Sequence, residues 1–266
     1  MMSPRLEPGQ IWPTPVLAIY YDVDDLNRGL ARIITEMEQR ITSTGTATAV
    51  AGLEEGLTTH WMEYNVLNWD YPECRTLRQM VLDGARSYFE LMGDPDEPRF
   101  RICGISCWAN ILRFGQSLAI HHHDPGFASA HYCVQSGREK GAEPAVSDSG
   151  QTRYFRPGFV ERSMGGDQAG PTSPWDNDWL LSENPTEGRL FFFPSYVRHE
   201  VRPNLESAPR ITIAMDFYIA GQASSKMLHF VPPRWFVPDA AGAGETRPVR
   251  SRAEVLRQRQ SSPGDH

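Results

Sequence analysis

Residues 210–219 read RITIAMDFYI, and their pattern is the clearest indication of the fold. Apolar and other side chains alternate along it without a break. One set is Ile211, Ile213, Met215 and Phe217, and the other is Arg210, Thr212, Ala214 and Asp216. Because neighbouring side chains of an extended strand lie on opposite faces, the pattern predicts a strand with one buried apolar face. We expect that face to pack on helices, which directs Arg210 and Thr212 into the interior of a barrel.

Other segments complete the prediction of a mainly β fold with flanking α-helices. Short stretches rich in β-branched and aromatic residues occur at 101–114, 117–123, 131–135 and 188–193. The run Leu190–Phe193 is apolar on both faces, which is typical of a strand covered on both sides. Apolar residues recur at spacings of three and four over 24–41 and 72–92, which predicts two amphipathic helices. The expected architecture is a sandwich or barrel with helices on its outer sheet.

The same patterns predict how the chain is divided. Residues 1–100 are expected to form a helical and strand support packed on the barrel, and residues 101–238 the barrel itself. Residues 136–187, rich in Gly and Pro, are expected to be a lid-like insert, because a loop of that length usually serves a function. The small and polar residues of 239–266 are expected to be a disordered tail.

Composition limits the partners. Lys and Arg number 26 and Asp and Glu number 33, so the net charge is 26 − 33 = −7, which disfavours a nucleic-acid partner. No apolar run approaches the roughly 20 residues that a membrane helix needs, and the N-terminus does not resemble a secretory signal. The 4 cysteines form no CxxC pair, which favours reduced thiols in the cytoplasm. We therefore expect a cytoplasmic protein that binds neither nucleic acid nor membranes.

A histidine-rich segment predicts a metal site. Residues 120–125 read IHHHDP, and on a strand His122 and Asp124 share one face. His199, which follows the apolar strand near residue 193, is the best candidate for a third ligand. Two histidines and one carboxylate on one side of a metal leave the opposite positions open, which marks non-haem Fe(II) oxygenases. The triple histidine leaves open whether His121 or His123 replaces one of these ligands.

An inward-facing Arg210 predicts an anion site. A buried guanidinium is costly without an anion, and a hydroxyl two residues further on the same face, that of Thr212, suits a carboxylate. The alternative is an internal ion pair, for example with Asp216 or Glu200.

These motifs together resemble a known family, the Fe(II)- and 2-oxoglutarate-dependent oxygenases, and in particular a bacterial branch of it. The resemblance covers residues 105–219 and is carried by HxD at His122 and Asp124, by the distal His199, and by RxT at Arg210 and Thr212. The strings WANILRFGQ, FFFPSYVRH and PRITIAMDF add to it. In that branch a second histidine often replaces the acid of the first motif.

The resemblance implies a double-stranded β-helix, a jelly-roll or cupin-like barrel. It implies that His122, Asp124 and His199 bind Fe(II), that Arg210 and Thr212 hold the far carboxylate of 2-oxoglutarate, and that O2 is the oxidant. The implied enzyme is a dioxygenase that hydroxylates, desaturates or cyclises a small-molecule or amino-acid-like substrate and releases succinate and CO2. A cupin-type metalloenzyme that uses several histidines without 2-oxoglutarate, and a non-catalytic metal-binding barrel, are the alternatives.

Further site candidates follow from position along the strands. Asn110 and Tyr132 are candidates for contacts with the cosubstrate. Four residues are candidates for substrate contacts, namely Trp108, Trp175, Trp179 and Arg198. Each of the six has a structural alternative, such as a core aromatic side chain or an exposed arginine without a specific role. A homodimer is compatible with the sequence, which does not determine the oligomeric state.

Overall fold

A computed structural model of the chain describes residues 14–43, 57–58, 65–92, 100–123, 126–138, 148–155, 179–221 and 236–238. Two α-helices lie in these ranges, α1 (Asp24–Ser43) and α2 (Pro72–Met92), and a short 3-10 helix (Val66–Asn68) precedes α2. The strands of the same ranges are β1 (Leu17–Tyr20), β2 (Leu57–Thr58), β3 (Phe100–Leu112), β4 (Leu118–His121), β5 (Ala128–Gln135), β6 (Thr152–Phe155), β7 (Trp179–Glu183), β8 (Arg189–Pro194), β9 (His199–Val201) and β10 (Arg210–Gly221). Both predicted helices and all the predicted strands are confirmed, with small shifts at their ends.

The strands form two antiparallel sheets. The larger sheet has 6 strands in the order β1-β8-β5-β10-β3-β2, and the smaller has 4 in the order β4-β9-β6-β7. Strand β10, which carries the alternating sequence RITIAMDFYI, pairs with β3 along its full length and with β5 on its other side. Few of its backbone groups are therefore left to solvent, as expected for a strand in the middle of a sheet.

The two helices cover one face of the larger sheet. Ile213, Met215 and Phe217 of β10 are fully buried in a core shared with residues of α1 and α2. Phe192 of β8 stacks on Tyr88 of α2, with ring centroids 5.5 Å apart. The prediction that the apolar face of β10 packs on the helices is confirmed.

The other face of the larger sheet looks toward the smaller sheet. Phe191 and Phe193 of β8 pack with Tyr154 of β6 in a separate buried cluster. Strand β8 is therefore covered on both sides, as its continuous apolar run predicted. The space between the sheets also receives the polar face of β10, where Arg210, Thr212 and Asp216 are all at most 3% exposed. This interior is where a site can form.

The segment 136–187 differs from its predicted form. It supplies β6 and β7, which pair with each other, and β6 also pairs with β9 in the smaller sheet. At least these parts of the segment therefore belong to the barrel wall. The sequence analysis did not predict them because the two short strands lie within a stretch whose Gly and Pro content is typical of loops. The lid itself stays a prediction. The predicted tail, 239–266, lies outside the described residues.

The chain's N-terminal part also contributes to the larger sheet, since β1 and β2 form its two edges. None of the helices in the described ranges is long and apolar enough to cross a membrane.

Candidate metal and anion site

Three histidines converge at one end of the barrel interior. His121 ends β4 and His199 begins β9, and the two are paired across these strands. His123 lies two residues further along. Each of the three has a ring nitrogen that lies within 4.8 Å of a ring nitrogen of the other two. The Nε2 atoms of His123 and His199 are 3.3 Å apart.

The surroundings of these rings fit a metal. The Nδ1 atom of His121 lies 2.6 Å from the backbone oxygen of Ala119, and that of His199 lies 3.1 Å from the backbone oxygen of Val197. A carbonyl oxygen can only accept, so each Nδ1 carries the proton and each Nε2 offers a lone pair. Metal-binding histidines are usually held in this way, by a hydrogen bond from the ring nitrogen that does not bind the metal.

Burial and charge favour the neutral form of His199. Its pKa is well below the usual 6.5, first because burial disfavours the imidazolium and then because His121 and His123 lie close by. Only a neutral imidazole binds a metal, so at neutral pH His199 is ready to bind.

His122, one of the two predicted partners of His199, is not brought to His199 by the structure. His122 is exposed and is not part of the cluster, and Asp124 lies outside the described residues, so its role stays a prediction. The reason is one step of strand alternation: His121 and His123 share a face, and that face points inward. The open alternative, that His121 or His123 replaces a predicted ligand, agrees with this geometry.

The anion site lies deeper between the sheets. Arg210 is 3% exposed, and it donates from Nη2 to the hydroxyl of Thr152 at 3.1 Å and from Nη1 to that of Thr212 at 3.3 Å. Its Nε is buried without a hydrogen-bond partner. No carboxylate within the described ranges pairs with it, so the predicted alternative, an ion pair with Asp216 or Glu200, does not occur. Burial lowers the pKa of the Arg210 guanidinium below its ordinary value, while Cys133 and Tyr154 oppose that shift.

A small pocket lies beside the arginine. It is lined by Arg210, Arg189, Thr152 and His131, among others. The pKa of His131 lies well below 6.5, mainly because of burial and then because of the charges of Arg210 and Arg189. His131 is therefore neutral at pH 7 and serves as a hydrogen-bonding group rather than as a cation.

The pairing of β6 with β9 fixes the spacing between the two ends. Thr152, which binds Arg210, pairs with Val201, and Tyr154 pairs with His199. Tyr154 also stacks on the His199 ring, with centroids 5.7 Å apart. Two residues of a strand span about 7 Å, so Thr152, the partner of the arginine, is about that far along the barrel wall from His199 of the histidine cluster.

The candidates for cosubstrate contacts separate into two groups. Asn110 is buried opposite Thr212 in the β3–β10 pair, on the interior face. Tyr132 lies on the other face of β5, where its hydroxyl donates to Oδ1 of Asn27 on α1 at 2.5 Å. The prediction for Tyr132 is therefore corrected: alternation turns it toward the helices, and its neighbour His131 faces the pocket instead.

The candidates for substrate contacts are also spread out. Trp108 lies beside the metal cluster, its ring 5.4 Å from that of His123. Arg198 is exposed, Trp179 is the first residue of β7, and Trp175 lies outside the described residues. Of the four, only Trp108 is placed against the cluster by the described contacts.

Two interior residues received little weight from the sequence. Tyr154 was hidden inside the predicted insert. Asp216 was considered only as a partner of Arg210, although its Oδ1 lies 3.3 Å from Nδ1 of His123. The alternation along β10 already placed Asp216 on the interior face, which was the available signal.

The chain is similar to known proteins in sequence and in fold. The family model described as "Putative 2OG-Fe(II) oxygenase" matches residues 106–216. The non-heme alpha-ketoglutarate-dependent epimerase SnoN from nogalamycin biosynthesis superposes with a TM-score of 0.50 at 13% identity, covering 88% of this chain and 91% of that chain. A prolyl-4-hydroxylase from Pseudomonas putida gives a TM-score of 0.49 at 17% identity, covering 78% and 94% respectively. No curated protein matches the sequence.

The two sheets form a double-stranded β-helix, the fold of these oxygenases, with a histidine cluster at one end of its interior. The matched residues, 106–216, reach from β3 into β10, so this part of the chain is similar to the 2OG-Fe(II) oxygenases. A structure of SnoN contains Fe3+, alpha ketoglutarate and nogalamycin RO.

Proposed function

We propose that the chain is a 2-oxoglutarate- and Fe(II)-dependent dioxygenase in which His121, His123 and His199 hold the iron. The support is the convergence of three imidazoles, each with one ring nitrogen within 4.8 Å of the others, while the Nδ1 atom of each lies near an oxygen atom. When bound, the iron with 2-oxoglutarate and O2 supplies the oxidising chemistry, which is coupled to the release of succinate and CO2.

The observation that carries this proposal is the buried Arg210. A guanidinium that is 3% exposed, with an unused Nε and no carboxylate partner in the described part of the chain, needs an anion from outside the protein. The spacing of about 7 Å between its partner and the metal cluster suits a five-carbon dicarboxylic acid. Arg210 would bind and orient the far carboxylate with help from Thr212, and Asn110 faces the same region.

The protein's remaining interior groups keep the reaction space defined. Tyr154 and the phenylalanines of β8 exclude water beside His199, and Trp108 offers an aromatic wall beside His123. We propose hydroxylation of a small-molecule or amino-acid-like substrate as the reaction. Desaturation and ring closure use the same residues.

We also propose that the protein acts in the cytoplasm, because all 4 cysteines are free thiols, which suits a reducing compartment. The net charge of −7 supports a small molecule over nucleic acid as partner.

The experiment is an anaerobic titration with Fe(II) and 2-oxoglutarate, followed by the visible charge-transfer absorption of the complex. We expect the band in the wild-type protein and its loss in His121→Ala, with His122→Ala as the matched control that keeps it. A band that survives in His121→Ala but disappears in His122→Ala and Asp124→Ala would return the ligand set to the one predicted from the sequence.

A second function is favoured by one observation. Three histidine ligands are also what a cupin-type metalloenzyme uses, and such an enzyme needs no 2-oxoglutarate. The two proposals differ at Arg210, which only the first requires. Metal binding that is unaffected by 2-oxoglutarate, together with no succinate release on exposure to O2, would favour the cupin-type enzyme.

A further inference from the structure

Asp216 is a buried carboxylate that contacts His123, one of the three clustered histidines. It is 3% exposed on the interior face of β10. Its Oδ1 accepts a hydrogen bond from the Ser129 hydroxyl at 2.7 Å and lies 3.3 Å from Nδ1 of His123. Within the described ranges no lysine or arginine pairs with it. A buried carboxylate is costly when it lacks a positive partner, so its surroundings require an explanation.

The three cluster histidines differ in what stands behind them. His121 and His199 each face a neutral backbone carbonyl, whereas His123 faces the carboxylate of Asp216. An imidazole whose second nitrogen faces a carboxylate is a stronger donor to a metal, and its ring orientation is fixed. The described cluster itself consists of three imidazoles and contains no carboxylate.

We propose that Asp216 is the positioning residue for His123, and that it supplies from behind the imidazole the negative charge that the histidine cluster lacks. This inference rests on the proposed metal site. It explains why a carboxylate is buried here without a basic partner: the positive charge it requires is that of the bound metal, transmitted through His123.

The local structure holds Asp216 and His123 together. The Ser129 hydroxyl bonds both Asp216 and the Ser195 hydroxyl, the latter at 2.9 Å. The backbone oxygen of Ser195 accepts from the backbone N–H of His123 at 3.0 Å. One turn, at Ser195, therefore anchors both the backbone of the ligand and the support of the carboxylate. Such a closed arrangement is expected where ring orientation matters.

The test is calorimetric binding of Co(II), which needs no turnover. Asp216→Asn keeps the shape and removes the charge, and we expect its Kd for Co(II) to rise about 10- to 100-fold. The matched control is Glu38→Gln, which removes the charge of another buried carboxylate. Glu38 pairs with Arg113, which is far from it in the sequence, and their side-chain atoms are 2.8 Å apart. We expect Glu38→Gln to bind Co(II) as the wild type does, although it lowers the melting temperature. Equal affinities in Asp216→Asn and wild type, or equal losses in both variants, would overturn the inference.

If the Asp216→Asn variant does not fold, a second measurement on the wild-type protein tests the inference. In the wild-type protein loaded with Zn(II), long-range proton–nitrogen NMR reports the ring protons of the three histidines. We expect the Nδ1 proton of His123 to resonate furthest downfield, because only its acceptor is charged. An Nδ1 proton of His123 that resembles those of His121 and His199 would overturn the inference.

Failure of the proposed function gives a different result. If wild-type protein does not bind Co(II), or if His199→Ala binds it equally well, the metal site itself is wrong and the inference is overturned with it. If His199→Ala loses binding and Asp216→Asn does not, only the inference on Asp216 is refuted.

Discussion

Replacing Arg210 with methionine separates binding of the cosubstrate from stability. The variant keeps most of the side-chain volume and removes the charge. A charge-assisted hydrogen bond contributes about 1.5–3 kcal/mol, and two of them to one carboxylate give at least about 3 kcal/mol. Arg210 already donates to Thr152 and Thr212, so the lower end of the range applies. Since about 1.4 kcal/mol is a factor of ten, the Kd for 2-oxoglutarate should rise about 100-fold or more.

The same substitution should not lower stability. In the described part of the chain Arg210 has no carboxylate partner, so the native protein buries a charge at a cost that methionine removes. We therefore expect the melting temperature of the protein without 2-oxoglutarate to stay the same or to rise.

The assay is equilibrium binding of 2-oxoglutarate to the Co(II)-loaded protein, with thermal unfolding measured on the same samples. Arg153→Met is the matched control, because Arg153 lies on the outside of β6 in ion pairs with Asp148 and Glu200. An Arg210→Met variant that binds 2-oxoglutarate like the wild type would refute the cosubstrate assignment. Loss of binding accompanied by a large drop in melting temperature would show that Arg210 is structural instead.

Three further predictions concern neighbouring features. Thr212→Val removes one hydroxyl that accepts from Arg210, so the Kd for 2-oxoglutarate should rise about 3- to 10-fold, and an unchanged Kd would contradict its role. The pKa of His131 is near 6.5 in the unfolded chain and well below that in the folded protein, so the unfolding free energy should fall as the pH drops below 6.5. In denaturant titrations, His131→Gln should reduce the slope of unfolding free energy against pH by up to about 1.4 kcal/mol per pH unit, and parallel slopes for variant and wild type would refute this. Gly188 has a φ of +77°, and a Cβ added there would clash with the backbone oxygen of Tyr21, whereas Gly115 has a φ of +80° with open space around it. Both Gly→Ala variants should lose about 1–2 kcal/mol of stability from backbone strain, and Gly188→Ala distinctly more, so equal denaturation midpoints would contradict the clash.

The sequence predicted the elements well because their periodicities are strong and local. The alternation of β10 and the stripe of α2 each repeat over several turns or pleats, so a single exception does not change the assignment. The interior site was harder, since every assignment there depends on which of two strand faces points inward. For β10 the apolar set decided the face. For the histidine segment both faces are polar, so the alternation did not decide the face, and the preference for His122 rested on the HxD pattern with Asp124.

The same physical limit explains Tyr132 and the insert. Along β5, Tyr132 and His131 are both plausible interior groups by chemistry, and only the packing of α1 against Tyr132 turns His131 toward the pocket. Strands β6 and β7 were missed because their pairing is with each other and with β9, which is distant in sequence. Loop-like composition around them concealed two short strands that tertiary pairing stabilises.

Strand β10 also shows why two buried opposite charges fail to neutralise each other. Arg210 and Asp216 lie on the same interior face, but six residues of extended strand separate them by about 20 Å, which is too far for an ion pair. Each must therefore find its partner at its own end of the barrel. At the Arg210 end the described protein offers hydroxyls, which suits an incoming carboxylate. At the Asp216 end it offers His123 and the metal cluster, which suits a cation. A single strand thus places a cation and an anion at opposite ends of the barrel interior, where the proposed dicarboxylic acid and metal ion would satisfy one charge each.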